Sequence, residues 1–463
     1  MKVAYIRSVF PKTSETFILE EIVALRRLGH DVRVYAKRLE YSYIQPKVIE
    51  SGILSHVLHL RKRLGLLKWA RVICQQLTLL ILSPRRRGDF FRILLPEAHV
   101  KRLLRYRIRF LCRGRSAWTL GALYARENAL AFLHSLRIGN LQLGAHQYLL
   151  GKSDFTPDVI HCPFTFRWDT RALTSEISRH PGAAYTVALR SRDIYSTMDI
   201  SSFADLKYRL IKEADRVVTI SKYNQDNLLK KRICSAPPAI IHSSIDADFF
   251  SPESENRTTG SKKIILSVAR LVPKKGLHIL IQSCAALKDG GVDFQCRIIG
   301  EGPEKKKLRM QIDQLGLKKH VLLLGTLNQR EVRTELKSAS LFVLPCVIDN
   351  TGDRDILPNS LKEAMAMGVP VITSHISGIE ELIIGGKNGF LVSPSDPTAL
   401  AELVLRLFVD NGLRAAIAKS ARETILRDYN IKTEASKLVS VLKDAIRLKA
   451  IRSEQQAQPD LKA

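Results

Sequence analysis

The feature that most constrains this chain is an alternation of short β-rich runs with amphipathic helical runs, present in both halves of its 463 residues. In the first half, strands are expected at Lys2–Ile6, Asp31–Tyr35, Asp158–His161, Ala183–Leu189, Arg216–Ile220 and Ala239–Ile241. Glu15–Leu28 reads as a helix with Ser14 as its cap and Gly29 as its stop, and another helix is expected near Ser202–Ala214. In the second half, strands are expected at Ile264–Val268, Gln295–Ile299, Val321–Leu324, Leu341–Leu344 and Val369–Thr373, again separated by helical stretches. This alternation predicts two parallel, doubly wound α/β domains. Ser251–Lys263 is polar, contains Pro and Gly and has no apolar period, so the boundary is placed there. The first domain is expected to span 1–250, interrupted by a mostly helical stretch at 47–150 that breaks at Ser83–Pro84. The second is expected to span 264–445, with 251–263 as linker and 446–463 as a polar tail, frayed from Arg452.

An apolar fraction of 45% excludes a disordered chain and allows a sizeable core. The charge is less ordinary: 73 Lys and Arg against 45 Asp and Glu leave +28. Residues 61–115 hold 16 of those bases and two acids, Asp89 and Glu97, so half of the excess is regional. On a helical wheel Val100, Leu103, Leu104, Ile108 and Leu111 share one face; Lys101, Arg102, Arg105, Arg109 and Arg113 take the other, with Arg107 misplaced. Such a helix suits an anionic membrane surface. A helix packed on its own domain with solvated arginines is the plainer alternative, and nucleic acid is a third. No helix-turn-helix, zinc-finger or aromatic RNA-binding signature supports the last, so no nucleic-acid partner is expected. Leu64–Leu82 is interrupted by Lys68, Arg71, Gln75 and Gln76, which disfavours a spanning helix. The start, MKVAYIRSVF, reads as a strand rather than a leader. Seven scattered cysteines without a Cys-x-x-Cys pair disfavour a zinc site and a disulfide framework, and a cytoplasmic chain is expected.

Ligands of doubly wound sheets bind beyond the carboxyl ends of the strands, so the loops there hold the candidate chemistry. ARLVPKKG sets Arg270 and Lys275 ahead of a helix starting near Gly276. A guanidinium, an ammonium and a helix N-terminus together suit a diphosphate. After Leu341–Leu344, Asp355 lies in a loop and Glu363 in the second turn of a helix entered through Leu357, Pro358 and Asn359. Ribose hydroxyls would satisfy Glu363, and Asp355 is placed to meet a sugar; a solvent-facing Glu363 is the plainer alternative. Asp353-Arg354-Asp355 also spells an Asp-x-Asp pair of the sort that binds Mn²⁺ or Mg²⁺. No metal is expected, because Arg and Lys already offer the counter-charge. Ser377-Gly378-Ile379-Glu380 and Gly300-Glu301-Gly302-Pro303 each open a helix and offer backbone N–H groups. Gly300, Gly302 and Gly378 are either ligand contacts or turn requirements.

ARLVPKKG, IIGEGP, DRDILPNSLKEAMAMGVPVITS with SGIEELI, and NGFLVSPSDPTALAE occur in the order seen in family 4 glycosyltransferases, and the chain resembles that family. FPKTSETFILEEIVALRRLGHDVRVYA, ADRVVTISKYNQDNL and IIHSSIDADFF extend the resemblance into the first half; it fades in 40–150 and after 445. Within the family it is most similar to exopolysaccharide enzymes of the colanic-acid type, which act on lipid-linked acceptors at the inner membrane face. The resemblance implies a GT-B fold, two Rossmann-like domains facing across a cleft, here with a basic helical insertion in the first. It implies a retaining hexosyltransferase that needs no metal and no cofactor beyond its nucleotide-sugar co-substrate. Its acceptor would be a lipid-linked glycan, and its place peripheral on the inner face of the membrane. By the same resemblance Arg270 and Lys275 hold the donor diphosphate and Glu363 binds the ribose. Leu357, Pro358, Gly300, Gly302 and Gly378 would line the nucleotide. Asp355 stands where the family's Glu-x7-Glu motif has its first Glu, facing the donor sugar. His161, in DVIHCPF, aligns with a strand-end histidine facing the cleft; a lone structural histidine is the alternative. Arg190, in ALRSRDIY, occupies a position where relatives read like TAHARDIY. It cannot accept a proton, though it can position a carboxylate or phosphate. Arg192 and Asp193 are weaker cleft candidates. The departures at 190 and 355 leave open an inactive relative that binds sugar nucleotides as a scaffold or sensor.

Overall fold

Apolar runs buried on both faces are what a parallel sheet requires, and each half of the chain supplies one such sheet. A computed structural model describes residues 1–12, 15–38, 46–59, 155–165, 167–190, 193–194, 203–234, 236–252 and 263–457. The first sheet contains β1 (Lys2–Val9), β2 (Asp31–Arg38), β3 (Val57–His59), β4 (Val159–Cys162), β5 (Ala184–Leu189), β6 (Arg216–Thr219) and β7 (Ala239–Ile240). Their spatial order is β3-β2-β1-β4-β5-β6-β7. The second contains β8 (Lys263–Val268), β9 (Phe294–Ile299), β10 (Val321–Gly325), β11 (Leu341–Leu344), β12 (Val371–Ser374) and β13 (Phe390–Val392), in the order β10-β9-β8-β11-β12-β13. The alternation of β1 shows how one strand serves two cores. Val3 and Tyr5 enter the cluster on one face, and Ala4 and Ile6 enter the cluster on the other.

The helices cover both faces. The first half contributes α1 (Thr16–Arg27), α2 (Pro46–Glu50), α3 (Arg167–Arg179), α4 (Phe203–Glu213) and α5 (Lys222–Lys230). The second half adds α6 (Leu277–Asp289), α7 (Lys305–Gln314), α8 (Gln329–Ser338), α9 (Asn359–Ala366), α10 (Pro397–Val409), α11 (Asn411–Asp428) and α12 (Ile431–Ala457). In each sheet the chain order reverses once, between β1 and β4 and between β8 and β11. The crevice outside the strand ends at such a reversal is where α/β sheets bind ligands. The second reversal is flanked by the loops that carry Arg270 and Asp355.

Four expectations change. The start of the 47–150 stretch is not wholly helical, because Val57–His59 pairs with β2 as an edge strand. Ser377–Glu380 opens a single 3₁₀ turn (Ile379–Glu381) rather than a helix. Phe390–Val392, too short to stand out by pattern, adds a sixth strand beside β12. The expected tail at 446–463 is helical to Ala457, since α12 crosses back and packs on α1, β4, β5 and β6. Its Leu438, Leu442 and Ala445, at helical spacing, are buried in the first domain's core. Ser14, Arg192, residues 253–262 and the basic stretch 61–115 lie outside the described residues. No helix among the described residues is long and apolar enough to cross a membrane.

Candidate active site

At the second reversal, the turn after β8 places a basic triplet. Pro273–Lys275 makes one 3₁₀ turn, which fans consecutive side chains apart and directs both lysines at the loop after β11. Lys274, buried, sits 3.0 Å from Asp353 Oδ2 and 3.2 Å from Asp355 Oδ1, and Lys275 pairs with the other oxygen of Asp355. Burial would raise the Asp355 pKa, but the two ammoniums outweigh it and hold the carboxyl well below the usual range. Burial also pulls on Lys275, yet Asp355 leaves its pKa raised, with Arg270 opposing. Cys346 Sγ lies 3.8 Å from Asp355 Oδ2, and burial, then Asp355, pushes its thiol up to about 12. The Arg270 side chain is exposed, and makes no hydrogen bond or ion pair among the described residues. The Asp-x-Asp carboxylates are thus turned to Lys274 and Lys275.

A second polar cluster lies where the two domains meet. Arg190, at the end of β5, donates to Ser243 Oγ at 2.5 Å and to the Pro163 carbonyl at 3.2 Å. Its guanidinium is 3.9 Å from Glu21 and 4.4 Å from the Phe17 ring centroid. From the other domain Lys362, in α9, donates to the carbonyl of the same Ser243 and stands 5.7 Å from the Tyr429 ring centroid. Ser243 belongs to one of two connecting segments, and these bond to each other: Ile245 N–H donates to Tyr429 O (3.1 Å), and Ile431 N–H to Ile245 O (3.0 Å). Burial, then Arg190, pushes the Lys362 pKa down to about 7. Glu363, next in α9, is buried, and its carboxyl makes no hydrogen bond or ion pair among the described residues. Burial pushes its carboxyl up to about 7, with Lys362 opposing and Glu20 reinforcing.

Comparison with known proteins decides what this geometry belongs to. Residues 251–424 match the model of "Glycosyl transferases group 1". Over 450 residues, 96% of this chain and 99% of the other, the chain is 29% identical to a Salmonella typhimurium protein named as the colanic acid biosynthesis glycosyltransferase WcaL. It is 37% identical over 178 residues, 38% of this chain and 44% of the other, to the amylovoran biosynthesis glycosyltransferase AmsK of Erwinia amylovora. Residues 251–424 are thus a group 1 glycosyltransferase domain. The fold of the chain is GT-B: a Rickettsia africae glycosyltransferase superposes with a TM-score of 0.61 at 16% identity, covering 96% of this chain and 98% of that one. HepE of Anabaena, in complex with UDP and glucose, superposes with a TM-score of 0.62 at 16% identity, over 96% and 99% of the chains.

The chain therefore gathers its sequence-predicted residues into two groups rather than one. Arg270, Lys275 and Asp355 share the loops at the second reversal, and Arg190 and Glu363 belong to the contact between domains. His161 differs from expectation. It is buried between the first sheet and α1, with Nδ1 2.7 Å from Thr186 Oγ1, Nε2 3.8 Å from Glu21 and its ring edge-on to Tyr5 at 5.0 Å. Burial, then Arg190, pushes its pKa down to about 3, so the ring is neutral. Strand alternation explains this placement: His161 pairs in register with Tyr5, whose hydroxyl donates to Glu21 of α1 at 2.8 Å. Asp193 accepts from the Thr165 hydroxyl at 2.8 Å and the Arg190 N–H at 3.0 Å, which stitches strand ends together.

Gly300 and Gly302 have a steric reason: a Cβ would lie 1.8 Å from the Ala269 carbonyl oxygen at Gly300, and 2.3 Å from that of Leu271 at Gly302. Both glycines let the β9 loop press on the turn that carries Arg270. Leu357 is part of the second core, and Pro358 precedes the first residue of α9. Sequence reasoning missed Lys274, Lys362 and the Glu20-Glu21 pair. The signal for Glu21 was present, since it shares the apolar stripe of Ile18, Ile22 and Leu25 in α1. Glu20 pairs with Lys47 of α2, and Lys47 lines a cavity of about 460 Å³ together with Arg26, Asp246 and Gln329.

Proposed function

We propose that this chain is a retaining glycosyltransferase that moves a sugar from a nucleoside-diphosphate donor to a lipid-linked glycan acceptor in surface polysaccharide biosynthesis. The observation that supports it most is the convergence of Arg270, Lys274, Lys275 and Asp355 on the switch point of the second sheet, inside the segment that matches the family. The relatives named for colanic acid and amylovoran biosynthesis support the polysaccharide role. HepE with UDP and glucose supports a nucleotide-sugar donor. When the nucleoside diphosphate departs, negative charge develops on its β-phosphate. Arg270, with no partner among the described residues, and Lys275, released from Asp355, would meet that charge from fixed positions, a contribution of about 3–4 kcal/mol per group. Asp355 and Glu363 would accept hydroxyl donors of the sugar and ribose. Arg190, held by Ser243 and Pro163, accepts no proton, so the departing phosphate takes the acceptor's proton on the front face. Arg and Lys serve as the counter-charge, and no resident metal is assigned.

The basic stretch at 61–115 would hold the enzyme to an anionic inner membrane face. A thermal-shift panel of nucleotide sugars tests the donor assignment. One member should raise the melting temperature in wild type and not in Glu363→Ala or Lys275→Ala. A panel in which none does would remove the donor reading. Donor binding without turnover with any acceptor would favour a sugar-nucleotide sensor.

A further inference from the structure

Helix α5 of the first domain has its N-terminus closed by a residue of the second. Ser221, its cap, accepts from Asn224 N–H at 3.0 Å. The Lys222 and Tyr223 N–H groups, which no helical carbonyl can reach, donate instead to the two carboxylate oxygens of Glu381, at 2.8 and 2.5 Å. Glu381 ends the 3₁₀ turn Ile379–Glu381, and its own carbonyl accepts from the Tyr429 hydroxyl at 2.8 Å. The turn is pressed against the helix. At Gly378, with φ +88°, a Cβ would come within 3.1 Å of Tyr223 Cγ and 2.8 Å of Ile356 Cγ2. Ile356 adjoins Asp355. A carboxylate at a helix N-terminus gains from the aligned peptide dipoles as well as from its hydrogen bonds.

We propose that Glu381 is a positioning residue, an interdomain latch that docks the segment 377–381 on α5 and so sets the closed arrangement in which donor and acceptor sides face each other. This rests on the transferase reading only for its kinetic consequence; the latch itself is a statement about domain arrangement. Opening the cleft must strip both amides of their acceptor, and closing restores them. Ile379 N–H donates to Ile376 O at 3.1 Å, and the other backbone N–H groups at 377–380, candidate ligand contacts, are held in place by the same docking. Donor binding through those amides would therefore favour closure, and closure would favour binding.

The test is hydrogen exchange at the amides of residues 222–224 together with small-angle scattering, on the full chain without ligand. Glu381→Ala should exchange about ten-fold faster at Lys222 and Tyr223 and show a larger radius of gyration. Glu381→Gln, which keeps one acceptor oxygen, should fall between it and wild type, and serves if the alanine variant melts early. Glu380→Ala, the neighbouring exposed acid paired with His375, should match wild type. Unchanged exchange and size in both Glu381 variants would overturn the latch. With a donor and acceptor in hand, Glu381→Gln should raise KM for the donor several-fold more than it lowers kcat, and an equal fall in both would count against positioning. Altered exchange in a protein that never transfers sugar would keep the latch and remove the transferase reading, so the two failures are distinguishable.

Discussion

Lys275→Met separates two roles that the structure superimposes on one side chain: counter-ion to Asp355 and ligand of the donor diphosphate. Lys275 and Asp355 are largely buried, with 12% and 18% of their side chains exposed, so solvent screens the pair weakly. With Lys274 as a guide, an ammonium 3.2 Å from a carboxylate interacts by about 5 kcal/mol at an effective dielectric of 20. Desolvation of the two charges offsets much of this, and Lys274 remains to hold Asp355, so a net loss of roughly 2–3 kcal/mol is expected. For a domain of this size that lowers the melting temperature by about 4–12 °C. The pH dependence has a definite sign. Asp355 titrates lower folded than unfolded, so its pairing stabilises above the unfolded carboxyl pKa and fades as pH falls through the folded one. Lys275→Met should therefore narrow its deficit in acid. Asp355→Asn in the same chain removes the stranded carboxylate, and the double variant should recover most of the melting temperature. Transfer should not recover, because the diphosphate still lacks a cation, and kcat/KM should stay about 10²–10³-fold down. Melting is followed by circular dichroism, and transfer by release of nucleoside diphosphate. A double variant that regains transfer would show Lys275 to be only a counter-ion and refute the reasoning.

Glu363 has the opposite sign. Its folded pKa is raised to about 7, so its burial costs stability as pH rises from about 4.5 to 7. Glu363→Gln should be more stable at pH 8 by roughly 3 kcal/mol, flatten that window and weaken donor binding; a melting temperature still falling through it would assign the titration elsewhere. Arg190→Met removes the bonds to Ser243 and Pro163 and leaves Glu21 without its arginine, so a loss of about 3 kcal/mol is expected. Calorimetric donor binding should survive in that variant, because the donor loops lie in the other domain. Arg102→Glu, Arg105→Glu, Arg109→Glu and Arg113→Glu together should abolish co-sedimentation with anionic vesicles, and raised salt should weaken it in wild type. Equal pelleting under all conditions would leave those arginines as solvated surface.

Much of the second domain was legible in the amino-acid order. Its strands at 264–268, 295–299, 321–324 and 341–344 are short, apolar and bounded by turns, so local pattern suffices to place them to within a residue. The N-cap Gly276 of α6 and the start of α9 after Pro358 follow from turn chemistry in the same way. What local pattern cannot see is which side chains meet across distance. Lys274 and Lys275 look alike in ARLVPKKG, and only the 3₁₀ turn and the approach of residues 353–355 make Lys274 a bridge between two aspartates. Lys362 and Glu363 look like the solvent face of a short helix, yet both are buried because α9 is wedged against Ser243.

The order of residues by itself thus determined two doubly wound domains and the candidate groups for a diphosphate, since strand periodicity and loop chemistry are local properties. Tertiary structure alone decided the rest. Packing of α12 on the first sheet put Leu438, Leu442 and Ala445, expected in the second domain, into the first domain's core. Burial made His161 a neutral internal residue, and domain contact made Glu381 the cap of a helix more than 150 residues away in the chain. The physical reason is common to these cases. Burial and charge proximity are sums over neighbours distant in sequence, and they set both a side chain's protonation and its partner.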